Sequence, residues 1–125
     1  MTRWCVPLLL AASVAAGCEN RYEAITAPPP GLTASIDDKS KSIRLSLGAS
    51  LAFECTNTEG DPCARTTSTS SASTALIFPA NLDSLTDWGR EHGPQPRSAF
   101  VVVGIAEGRT TVEAGGDSLS VTVLP

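Results

Sequence analysis

Four cysteines, one histidine and a scatter of serines and carboxylates are the side chains of this 125-residue chain that could do chemistry. Cys5, Cys18, Cys55 and Cys63 formally allow three disulfide pairings. Cys55 and Cys63 bracket Thr-Asn-Thr-Glu-Gly-Asp-Pro. A zinc site needs four ligands and finds two thiols here, and a redox pair needs a tighter C-x-x-C-like spacing. Asn57, Glu59 and Asp61 inside the same segment offer three oxygens to a calcium ion that takes six to eight, so they read as a solvated turn. His92 follows Glu91, with Asp87 nearby, on a polar stretch where a lone imidazole is simply solvated. The serines sit in no G-x-S-x-G or S-x-x-K pattern, and no second histidine exists to act as a base. The expectation is a protein with no catalytic residues, no metal site and no cofactor.

Composition bounds what could position these groups. A chain of this length makes one domain at most. It is 42% hydrophobic but only 5% aromatic, so the core it can build is modest. The formal charge of -4, with nine basic residues scattered singly, excludes a nucleic-acid binder, which needs clustered Lys and Arg facing phosphates.

The N-terminus reads as an address. Met1-Thr2-Arg3 carries one positive charge, and Trp4 to Ala16 is uncharged and rich in Leu, Val and Ala. That apolar run is too short to span a bilayer as a resident helix. It ends Ala15-Ala16-Gly17-Cys18, and the whole segment resembles a bacterial lipoprotein signal peptide with its lipobox. The resemblance implies that residues 1–17 are removed, Cys5 with them, and that Cys18 becomes a lipidated N-terminus anchoring the protein in a membrane. Glu19 stands where Asp would mark inner-membrane retention in such proteins, which implies the outer membrane, with the domain facing the periplasm or the surface. Cys55 and Cys63 then remain. In an oxidising envelope, two cysteines at the ends of one turn-rich loop are expected to form a disulfide, worth about 2.5 kcal/mol in the chain-entropy model.

Residues 18–31 contain Pro28-Pro29-Pro30 and read as a semi-rigid tether carrying a domain over residues 32–125. From Leu32 onward, turn residues punctuate short segments of period two. Ile43, Leu45 and Leu47 alternate with polar residues, as do Leu51, Phe53 and Cys55, then Thr110, Val112 and Ala114, then Leu119, Val121 and Val123. Each predicts a strand with one buried face. The continuous run Phe100–Val103 predicts a central strand covered on both faces, and Leu32–Ile36, Arg65–Ser70 and Ala75–Phe78 are weaker candidates. Leu82, Leu85 and Trp88 allow one or two helical turns. The sum is an all-β antiparallel sandwich of about seven strands.

Phe100-Val-Val-Val-Gly104, Glu107-Gly108-Arg-Thr-Thr-Val-Glu-Ala114 and Ser118-Leu-Ser-Val-Thr-Val123 resemble the C-terminal half of bacterial Ig-like domains of the Big-2 type. Leu45-Ser-Leu-Gly48-Ala-Ser-Leu-Ala-Phe53 fits their early strands. The segment departs from the pattern in lacking a third-strand Trp and in the length of its loop 79–97. Ig-like topology implies that this loop, the disulfide loop 55–63 and the Gly115–Asp117 turn share one tip, with Trp88 as aromatic anchor and Arg90 and His92 as polar neighbours of a candidate binding site. The expected function is a monomeric, lipid-anchored module binding an envelope protein or carbohydrate, or serving structurally. The alternative is a chagasin-like cysteine protease inhibitor, although the family's N-P-T-T-G-Y motif is absent; an enzyme comes third.

Overall fold

The computed structural model describes residues 19–82 and 97–125. Nine strands and no helix occur among them: β1 (Arg21–Ala24), β2 (Ala34–Asp37), β3 (Ser42–Ser46), β4 (Ser50–Thr56), β5 (Thr67–Thr69), β6 (Ala75–Leu82), β7 (Arg97–Gly104), β8 (Gly108–Ala114) and β9 (Asp117–Leu124). They form two sheets, in the orders β1-β4-β7-β6 and β2-β3-β9-β8-β5. The first follows the A-B-E-D order of an immunoglobulin sandwich, and β9-β8-β5 follows G-F-C, so the expected Ig-like all-β class is the fold. It departs from a purely antiparallel sandwich at one place, where β3 runs parallel to β9, with Ile43 opposite Val121 and Leu45 opposite Val123.

Period two does what the sequence implies. Leu51, Phe53 and Cys55 of β4, Val112 and Ala114 of β8, and Leu119, Val121 and Val123 of β9 all lie in the core. Phe53 stacks on Phe100 of β7, with ring centroids 5.7 Å apart. The alternation of β3 stops one residue early. Leu47 is 46% exposed because the chain turns at Gly48, whose φ is 80°.

Three features differ from expectation. The tether expected over residues 18–31 contains β1, which pairs antiparallel with β4, Tyr22 opposite Cys55 and Ala24 opposite Phe53. Tyr22 is only 4% exposed and meets Phe53 edge-on at 5.8 Å. Burial of this one aromatic side chain, together with the four-residue ladder to β4, holds β1 on the sheet. The domain therefore begins before Leu32. The loop expected at 79–97 is shorter, because β6 continues through Pro79 to Leu82 and β7 starts at Arg97, with eight registered pairs between them. The run Phe100–Val103 is central in its sheet, but only Phe100 and Val102 are fully buried; Val101 and Val103 face outward and are half-buried.

Candidate functional site

The tip of the sandwich is built around a disulfide. Cys55 ends the inward row of β4, and Cys63 is bonded to it with Cα atoms 5.5 Å apart. The loop between them closes on itself. Asn57 Oδ1 accepts from the N–H groups of Glu59 at 2.8 Å and Asp61 at 3.0 Å, and the Asn57 N–H donates to the Asp61 carbonyl at 2.8 Å. This is an Asx-type turn, in which a short amide side chain substitutes for backbone acceptors. Asn57 is thus buried as the internal acceptor of the loop rather than solvated with Glu59 and Asp61, which are exposed.

The β8–β9 turn packs directly on this disulfide. Gly115 has a φ of 71°, and a Cβ placed there would lie 2.7 Å from Cys63 Cβ and 3.0 Å from Cys55 Sγ. Only glycine meets both the conformation and the space. The buried Ser98 hydroxyl at the start of β7 donates to the Cys63 carbonyl. The disulfide loop, the Gly115–Asp117 turn and the base of the β6–β7 connection therefore share one end, as Ig-like topology implied.

β1, with Asn20 just before it, and the β2–β3 turn complete that end. Asn20 is 6% exposed; its N–H donates to Asp117 Oδ2 at 3.2 Å, its side-chain amide donates to the Gly115 carbonyl at 2.8 Å, and its carbonyl accepts from Lys41 Nζ at 2.7 Å. The Tyr22 hydroxyl donates to the Ala114 carbonyl at 2.6 Å, and the Tyr22 N–H donates to Asp38 Oδ1 at 2.9 Å. Lys41, held at a φ of 53°, also pairs with Asp38 at 2.8 Å and lies 5.2 Å from the Tyr22 ring centroid. Burial raises the Asp38 carboxyl, but the bonds from Lys41 and from the Tyr22 N–H outweigh it and hold the group below the ordinary aspartate range. Burial pushes the Tyr22 phenol up to about 12.

Between these parts lies an open groove of about 670 Å³, lined among others by Asn20, Arg21, Asp38, Lys41, Thr56 and Asn57. Its walls carry both signs of charge, suiting hydrogen-bonded contact with a polar surface. No group of three or more His, Cys, Asp or Glu side chains able to hold a metal occurs among the described residues. Of the candidate residues, Cys55 and Cys63 meet as the expected disulfide; Cys18, Trp88, Arg90 and His92 lie outside the described residues. The cluster of Asn20, Tyr22, Asp38 and Lys41 was not anticipated. Its one sequence signal is the alternation of Asn20 and Tyr22 with Arg21 and Glu23, too short to separate from a polar tether.

No protein-family model matches the chain, and no curated protein matches it. Solved structures similar to it include domains 4 and 5 of the S-layer protein SbsC, at 18% identity over 79% of this chain with a TM-score of 0.42. Domains 1–6 of the same S-layer protein match at 19% identity over 78% of this chain with a TM-score of 0.44. The chain spans about half (54%) of the first of these and 13% of the second. Identities this low concern the fold and assign no function.

Proposed function

We propose that this chain is a lipid-anchored, non-catalytic immunoglobulin-like module of the bacterial cell envelope, tethered through Cys18 to the outer membrane and serving there as a binding or structural unit. The observation that carries the reading is the Cys55–Cys63 disulfide at the base of the tip. Both half-cystines are buried, and the glycine turn of the opposite sheet is shaped to fit against them. Disulfides of this kind form and persist in oxidising compartments, which is where a lipoprotein signal would deliver the domain. The polar side chains at the tip support a non-catalytic role, since Asn20, Asn57, Asp38 and Ser98 each hold a loop in place.

The test is Cys18→Ala in the full chain, followed by membrane fractionation and labelling with a radioactive fatty acid. The native chain is expected to take up label and sediment with membranes, and the variant to lose both. Label-free native protein, or a variant that is processed and retained like the native one, overturns the anchor.

A further inference from the structure

We infer that the tip of the sandwich lies against the lipid headgroups, with the β-strands standing away from the bilayer. The inference rests on the anchor proposed above and adds an orientation that the anchor alone does not fix. A lipid on Cys18 with a free tether after it would let the domain tumble. The structure leaves almost no tether.

Asn20 is buried and fastened by three hydrogen bonds to two different loops, the Lys41 side of the β2–β3 turn and the Gly115–Asp117 turn. Tyr22 follows it into the core. Covalent geometry keeps the Cα of residue 18 within about 7 Å of that of Asn20, whatever conformation lies between. Any anchor on Cys18 is therefore joined to the tip by a single exposed residue, Glu19. The proline run Pro28–Pro30, expected as the spacer, lies past β1 at the opposite end, where Thr33 accepts the Ser46 N–H. Strands of seven or eight residues put that end about 25 Å from the tip.

The tip is not basic. Arg21, Lys39 and Lys41 are offset by Glu19, Asp38, Glu59, Asp61 and Asp117. Apposition thus comes from the short covalent link and not from attraction to anionic lipid; salt screens the repulsion between the acidic tip and anionic headgroups, so added salt does not release the tip. The groove beside Asn20 faces headgroups, and the Leu47–Gly48 and Ile105–Glu107 turns at the far end face outward.

The experiment uses the full lipidated chain reconstituted in phosphatidylethanolamine–phosphatidylglycerol vesicles that contain a headgroup-nitroxide lipid. A fluorophore is attached at one introduced cysteine, Lys39→Cys at the tip or Glu107→Cys at the far end, both exposed positions. Quenching is expected to be severalfold stronger at position 39 than at position 107, and not to weaken as salt is raised. A flexible Gly-Ser insertion of about ten residues after Glu19 is expected to abolish the difference. Vesicle flotation is read on the same samples. Protein that floats through Cys18 but is quenched equally at both positions overturns the orientation and leaves the anchor standing. Protein that does not float overturns the anchor and the orientation together.

Discussion

Tyr22 joins three parts of the molecule through one side chain: its ring meets Phe53, its hydroxyl bonds the Ala114 carbonyl, and its N–H bonds Asp38. Tyr22→Phe keeps the ring and leaves a buried carbonyl without its partner, so it is expected to cost about 1–2 kcal/mol at pH 7 in urea unfolding. The pH profile carries a second signature. Burial raises the folded-state pKa from 10.0 to about 12, so the native state holds a proton that the unfolded state releases. The stabilisation from that protonated phenol is fully present below pH 10 and is lost as pH rises towards 12. Between those values the stability of Tyr22→Phe is expected to fall less steeply than that of the native chain, and parallel profiles would show that the phenol stays ionisable in the fold. Gly115 is constrained differently. Gly115→Ala adds a Cβ at 2.7 Å from Cys63 Cβ in a left-handed backbone, and a loss of about 3 kcal/mol is expected from strain and overpacking combined. A glycine pair before Asp117 was legible as a turn. That its first member touches the disulfide was not, since the contact joins residues some 50 positions apart in sequence.

The strands legible in the sequence are those with one wet face and several apolar residues in register: β3, β4, β8 and β9. Their alternation is a direct image of burial. The short or edge strands were faint or hidden for identifiable reasons. β5 has three residues, Thr-Ser-Thr, and gives only the faint signal of the Arg65–Ser70 candidate; its pairing with β8 defines it. The expected strand Ala75–Phe78 stops short of Pro79, whereas β6 runs through it: β6 is an edge strand, where proline is tolerated. β1 was hidden because a single tyrosine among Arg, Glu and Ala gives no period to count. The cost of that omission can be measured. If residues 19–31 were only a tether, a chain starting at Leu32 would be as stable as one starting at Glu19. Since Tyr22 belongs to the core and β1 covers the edge of β4, the shorter chain is expected to lose about 4 kcal/mol, a typical penalty for removing a buried aromatic. That is a large part of the roughly 5–15 kcal/mol available to a domain of this kind. Equal urea midpoints for the two would return residues 19–31 to the role of spacer.

At the scale of the whole molecule, a two-sheet sandwich has four open edges, and each is a template for pairing with another chain unless something blunts it. Three are short: β1 and β2 have four residues each and β5 has three. The fourth, β6, has eight residues and borders the apolar outer row of Phe78 and Val101, with Phe78 49% exposed. Pro79 stands in the middle of it and supplies no N–H to an incoming strand. The formal charge of -4 adds a weak general repulsion between copies. A monomer is therefore expected for the domain in solution, with Pro79 as the residue that keeps the longest edge from self-pairing. Pro79→Thr restores a donor and a good strand former at an exposed position. It is expected to leave the thermal midpoint near the native value while shifting sedimentation towards dimers at high protein concentration, and the shift is expected to be reversed by Phe78→Lys in the same chain. A Pro79→Thr variant that stays monomeric at every concentration would place the protection in the charge and the short edges instead. Dimers in the native chain would mean that proline does not guard this edge.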